Sequence, residues 1–268
     1  MAYSVTRPGA IEGVKYFLIP NFKNFSWMTV VAALGQMFYS LSIAMGILYT
    51  FGSYMKRDID IEKSTFQVEI FDTAIAIIAG LMVIPAVFAF DGGKNLKAGP
   101  SLMFISLPSV FDSMGMGTFI GIMFFLLVFL AALTSSVALA ESVVSTFEDE
   151  MKWSRFKASS ITTVIVFALG TLSALGFNVL KNVTILKMDI LDFFDFLTNS
   201  VMMPIAAMAT CVLILKVTKI EKIEEEIKRT SKFKRENIYK FVLRYFAIIF
   251  LLIILVSSIL NAFGVITI

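Results

Sequence analysis

The chain has 268 residues, 58% of them hydrophobic and 16% charged, a balance that excludes disorder and points to an integral membrane protein. The absence of His excludes histidine relays and His-ligated metals, and the single Cys211 excludes an intramolecular disulfide and reads as a small apolar residue on a membrane helix. A net charge of +3 calls for no nucleic-acid partner.

The first 25 residues are too polar for a signal peptide. Six apolar runs then predict transmembrane helices at about 28–55, 68–90, 117–147, 157–178, 190–215 and 238–263. The expected fold class is therefore all-α integral membrane, with one membrane domain over 1–268. Several runs exceed the minimum span, which implies tilt or extension beyond the bilayer.

The first run is interrupted. At its centre lies Ser40-Leu-Ser-Ile-Ala-Met-Gly46, preceded by Gln36 and Tyr39. Small and hydroxylated residues at mid-membrane depth predict a helix broken where backbone carbonyls can meet an ion or substrate. Such backbone is tolerated only against protein or a wet cavity, so a transport pathway is indicated. Without further context, Tyr39 and Met45 at helical spacing also suit ordinary packing.

The second run carries Asp72. An intramembrane carboxylate is costly and marks a functional site, unless it lies close enough to the interface to be hydrated. In the third run, Thr134-Ser-Ser136 supplies adjacent hydroxyls. These suit ion ligation, interhelical hydrogen bonding, or bonds back to the helix's own carbonyls. Glu141, one or two turns further on, reaches either a polar cavity or a partner on another helix. Lys216 to Arg235 mixes Lys and Glu at three- and four-residue spacing, as an exposed helical extension does. No P-loop, zinc-ligand cluster or nucleophilic triad occurs, so nothing supports an enzyme or a cofactor.

Orientation follows from the cations. Segments 56–67, 148–156 and 216–237, with the adjoining helix ends, hold 16 of the 23 Lys and Arg. The positive-inside rule makes that side cytoplasmic. The loop 216–237 is then cytoplasmic beside anionic lipid, 1–27 and 91–116 are external, and both termini lie outside the plasma membrane.

Several segments, in order, resemble the sodium-coupled neurotransmitter symporters in their prokaryotic eleven-helix branch. Pro8-Gly-Ala-Ile-Glu-Gly13 through Pro20 is similar to the external loop before the family's sixth helix. Gly35-Gln-Met-Phe-Tyr-Ser-Leu-Ser42 and Gly52-Ser-Tyr54 resemble the halves of that broken helix. Asp72-Thr73, Ala79-Gly80 and Pro85-Ala-Val-Phe-Ala-Phe90 resemble the seventh helix, and Gly99 to Pro108 the loop after it. Ala131-Ala-Leu-Thr-Ser-Ser136 through Glu148-Asp-Glu150 resembles the eighth. Asp192-Phe-Phe-Asp-Phe-Leu-Thr-Asn-Ser200 with Pro204 resembles the tenth.

The resemblance implies the second half of an inverted-repeat fold and sodium-driven amino-acid uptake. It implies that Tyr39, Ser40, Ser42, Met45, Gly46, Ser135 and Leu139 face the substrate. Ala44 departs from a frequent Gly-x-Gly pattern and leaves substrate size open. One sodium site would take the Ala131 carbonyl, Thr134 and Ser135; the other would take Ser40 and Asp72, whose carboxylate would replace chloride. Gates would involve Tyr54 and Asp149 inside and Asp195 outside, with Asp192 as the alternative outer acid; Asp149 also reads as a hydrated loop charge. The resemblance begins after the family's fifth helix. This implies a half-transporter, a partner of a separate N-terminal half or a truncated product. The competing expectations are a non-transporting membrane fragment and a scaffold or channel-like subunit.

Overall fold

A computed structural model describes residues 8–23, 25–93 and 102–264. The chain ends, expected outside, and residues 94–101 of the expected external loop lie outside the described residues. The described residues form ten helices and no strand; an isolated bridge joins Ile185 and Met188. The helices are α1 (Ala10–Leu18), α2 (Trp27–Ser40), α3 (Ile47–Tyr54), α4 (Ile61–Asp91) and α5 (Leu102–Asp112). There follow α6 (Gly117–Met151), α7 (Arg155–Gly176), α8 (Ile190–Thr218), α9 (Ile220–Lys228) and α10 (Glu236–Ala262).

Five of these, α4, α6, α7, α8 and α10, are long and apolar enough to cross a membrane. Their apolar side chains face outward: Phe167 is 75% exposed and Leu127 66%. In water such a surface would be unstable, and hydrocarbon is its natural solvent. Segment 28–55 forms two short helices, α2 and α3, rather than a continuous one. α4 begins at Ile61, ahead of its apolar run, because the Lys63 N–H donates to Asp60 Oδ1 at 2.9 Å and caps the polar first turn.

The chain divides into two compact units. The first comprises the described parts of 1–25 and 67–135. There α1 lies close along α4. A Cβ on Gly13 would come within 2.7 Å of Pro85 Cα, and one on Gly80 would overlap the Phe17 ring. Pro85, inside α4 where α1 packs, has no N–H to give the Leu81 carbonyl. Ala86, Val87 and Val110 form the core beside it, with Leu102 and Met114.

The second unit comprises 26–66 and the described part of 136–268. Antiparallel α8 and α10 pack through Ala207, Cys211 and Leu251, joined by Phe38 and Ala44 from the broken segment. Val31 of α2 packs on Phe250 and Ile254 of α10. A capping box of Ser26 and Thr29 opens α2, and the Asp189 side chain caps α8.

Candidate functional site

The break lies between Ser40 and Ile47. The Ile43 N–H still reaches the Phe38 carbonyl at 3.0 Å, in a widened turn, and the α-helical pattern resumes with the Thr50 N–H to Gly46 O at 3.0 Å. Between them φ is +53° at Ser42, +63° at Ala44 and +81° at Gly46. A left-handed conformation costs a residue with a Cβ roughly 1–3 kcal/mol, so Ser42 and Ala44 are held there by their surroundings. Ala44 sits against the Cys211–Leu251 core. Gly46 is required twice: its φ suits glycine, and a Cβ would overlap Ser142 Oγ of α6. The first N–H groups of α3, from Ile47 to Tyr49, precede its first intrahelical bond and leave a positive dipole end at the break.

Tyr39 and Asp195 open on one cavity of about 340 Å³, lined also by Gln36, Asn199 and Ser200, with Val31 and Ile254 as apolar wall. The Asn199 amide donates to Asp195 Oδ1 at 2.5 Å across a wide, π-helical turn of α8, Phe196–Met202. That turn leaves backbone groups off the regular ladder, as at many functional sites. Asp192 lies one turn before it, in the same helix.

Ser40 ends α2, and Ser42 and Met45 lie within the break. Asp72, Ala131, Thr134 and Ser135 belong to the first unit; Tyr39 to Gly46, Tyr54, Leu139, Asp149 and Asp195 belong to the second. On α6 the Thr134 hydroxyl donates to the Ala131 carbonyl at 2.9 Å and to Leu130 O at 3.1 Å. Thr134 Oγ1 and the Ala131 carbonyl oxygen are therefore adjacent, and the hydroxyl oxygen keeps its own lone pairs while the carbonyl already accepts the hydroxyl and a helical N–H. Leu139 and Asp149 lie further along α6, and Asp149 makes no ion pair among the described residues.

A further constellation sits at the far end of α3. The Tyr54 hydroxyl donates to Glu141 Oε1 at 2.8 Å. Arg155 Nη2 donates to Glu141 Oε2 at 2.7 Å, and Nη1 to Glu148 Oε2 at 3.1 Å. One carboxylate thus joins α3, α6 and α7. Elsewhere along α3, the Tyr49 hydroxyl donates to Thr210 Oγ1 at 2.8 Å, and Thr50 and Ser145 share a 3.3 Å hydroxyl contact. Sequence reasoning left Glu141 open and used Arg155 only as a charge on the cytoplasmic side. An acid near a helix end with an Arg just past the following turn signals the Glu148–Arg155 pair, but nothing local signals Glu141, ten residues before the end of α6.

Long outward-apolar helices together with a segment broken at a polar centre define a polytopic helical membrane protein. The chain belongs to the sodium:neurotransmitter symporter family, whose profile matches residues 1–265. It is 34% identical over 261 residues to an uncharacterized sodium-dependent transporter of Haemophilus influenzae, covering 97% of this chain and 56% of that protein. It is 33% identical to the sodium-dependent transporter YhdH of Bacillus subtilis, covering 83% of this chain and 49% of that one. The crystal structure of MhsT in complex with L-phenylalanine matches with a TM-score of 0.83 and 36% identity, covering 96% of this chain and 58% of that one. The chain spans about half the length of these relatives. Its family is one of secondary transporters coupled to sodium, not of enzymes.

Proposed function

We propose that this chain forms the second half of a sodium-driven amino-acid symporter in the plasma membrane, with the broken segment α2–α3 as its sixth span. The observation that carries the reading is the break itself. Residues 41–46 leave the helix at the centre of an apolar segment, with Ser42, Ala44 and Gly46 at positive φ. Irregular backbone at that depth is stable only against protein or a wet cavity, and its free carbonyls and N–H groups suit ions and a substrate carboxylate. In this reading Tyr39, Ser40, Ser42, Met45, Gly46, Ser135 and Leu139 face the amino acid. The Ala131 carbonyl, Thr134 and Ser135 hold one sodium ion; Ser40 and Asp72 hold another. Asp195 closes the outer side, and Tyr54 with Asp149 the inner. The remaining ligands come from the part of the fold to which the rest of the relatives' length corresponds, whether in one polypeptide or as a separate partner. The amino-acid substrate is supported by the phenylalanine bound to MhsT. It is also supported by the nutrient amino acid transporter of Drosophila grimshawi, a relative 29% identical over 180 residues.

Asp72 brings a fixed negative charge, so transport needs no chloride. The test is sodium-driven uptake of labelled amino acids by the chain completed with the family's first half. Uptake is expected to survive replacement of chloride by gluconate and to become chloride-sensitive or weakly sodium-dependent in Asp72→Asn. Thr134→Val and Ser135→Ala should each raise the half-saturating sodium concentration about 5- to 150-fold, the cost of one lost ligand in a desolvated site. Unchanged sodium dependence in both hydroxyl variants would assign the cluster to helix packing and overturn the ion site. Loss of uptake without chloride would overturn the role of Asp72.

A further inference from the structure

Residues 216–244 contain ten Lys or Arg against five Glu. The packing of Ala207 and Cys211 with Leu243, Ala247 and Leu251 sets the register of the α8–α10 hairpin. In that antiparallel register Lys216, near the end of α8, and Arg244, near the start of α10, stand at the same end.

Three of the five carboxylates are taken up internally, while Glu221 and Glu225 stay exposed and make no ion pair among the described residues, two acids against six exposed cations. Buried Glu224 meets Lys240 at 3.0 Å, Glu236 meets Lys228 at 2.6 Å and Lys240 at 2.7 Å, and Glu226 meets Arg229 at 2.8 Å. Lys216, Lys219, Lys222, Lys232, Lys234 and Arg244 remain exposed and make no ion pair among the described residues. The same end of α10 also exposes apolar surface. Phe241 and Tyr245, on either side of Arg244 in sequence, are 61% and 59% exposed, their rings 5.8 Å apart. A soluble acidic protein would be met by cations alone. Cations interleaved with exposed aromatics at the entry to a membrane span match the layered chemistry of a lipid, phosphate above and acyl chain below.

We propose that this end of the α8–α10 hairpin is a binding surface for anionic glycerophospholipid. Lys216 and Arg244 meet the headgroup phosphate, Lys219 and the 232–234 lysines supply the surrounding positive field, and Phe241 and Tyr245 lie along the upper acyl chains. The inference needs the helices to be embedded in a bilayer and does not depend on the transport reading.

The test is native mass spectrometry of the full chain in neutral detergent with phosphatidylglycerol or phosphatidylcholine at equal concentration. More phosphatidylglycerol than phosphatidylcholine should remain bound. Lys216→Gln combined with Arg244→Gln should lower phosphatidylglycerol binding about 5- to 30-fold and leave phosphatidylcholine unchanged. The charge-preserving pair Lys216→Arg and Arg244→Lys should bind as the unmodified chain does, which separates lost charge from lost folding. Lys181→Gln with Lys187→Gln removes equal charge elsewhere and should have no effect. Equal binding of the two lipids, an equal loss in the Lys181 and Lys187 control, or displacement of the lipid by millimolar inorganic phosphate would overturn the proposal.

Discussion

At Gly46 two constraints act on one residue and can be separated by mutation. Gly46→Ala places a Cβ on a backbone with φ of +81° and drives it into Ser142 Oγ. The Ser142 Cβ itself would be 3.7 Å away, an ordinary contact. Gly46→Ala alone should therefore destabilise the protein strongly, while Gly46→Ala with Ser142→Ala should retain only the left-handed strain, about 1–2 kcal/mol. Thermal unfolding in detergent gives both values; identical losses in the single and double variants would mean that the hydroxyl yields freely. Asp60 permits a test in pH. The Lys63 N–H donated to its carboxylate holds its pKa below the ordinary 3.8. A lowered folded pKa means that the cap stabilises above the unfolded value and is lost as pH falls through the folded one. Amide exchange at Glu62, Lys63 and Ser64, corrected for its intrinsic pH dependence, should rise only as pH drops below about 3.8. It should be raised at all pH values in Asp60→Ala. An equal acid response in that variant would exclude the cap as its source.

The helix α3 is held along its length by side-chain hydroxyls rather than by a broad apolar seam, through Tyr49 to Thr210, Thr50 to Ser145, and Tyr54 to Glu141. Such contacts exchange readily with water, so α3 is an element of low local stability. Arg155 orients the Glu141 carboxylate that Tyr54 uses. Tyr54→Phe and Glu141→Gln should thus each raise hydrogen exchange in α3, by at most about fivefold for so exposed a network. The double variant should match Tyr54→Phe in α3, because both changes act there through the single Tyr54–Glu141 hydrogen bond, which the weaker amide acceptor loosens and the missing hydroxyl abolishes. Additive effects would show that the two side chains act separately. This network was illegible in the sequence because it depends on how α3, α6 and α7 are aligned, which no local pattern encodes. The break was legible, since the Ser42, Ala44 and Gly46 region interrupts an apolar run with residues whose only membrane use is close approach or polar contact. The Thr134 bonds to Leu130 and Ala131 were legible only as one of several uses of a hydroxyl. The start of α4 at Ile61 escaped hydropathy altogether, for its first turn is polar and is set by the Asp60 cap.

For the whole molecule, charge and helix count make one joined prediction. Five long helices cross if each spans the bilayer, and a sixth crossing exists only if α2 and α3 stack end to end through the break. With six crossings, residues 56–67, 148–156 and 216–237 share one face. With the adjoining helix ends, that face carries 16 of the 23 Lys and Arg, which by the positive-inside rule puts it in the cytoplasm. With five, Lys23 and Lys56 would stand on the same side. Single cysteines introduced by Lys23→Cys, Lys56→Cys, Lys181→Cys and Lys232→Cys, in a Cys211→Ala background, report the topology when a membrane-impermeant maleimide is added to intact cells. Lys23→Cys and Lys181→Cys should label from outside; Lys56→Cys and Lys232→Cys should label only after permeabilisation. Labelling of both Lys23→Cys and Lys56→Cys from one side would remove the sixth crossing. A full inversion of the pattern would keep the crossings and overturn the orientation. The expected direction rests on the steep cost of moving clustered cations across hydrocarbon during insertion. The ten cations of 216–244 are the densest cluster in the chain, so Lys232→Cys is the position that decides it.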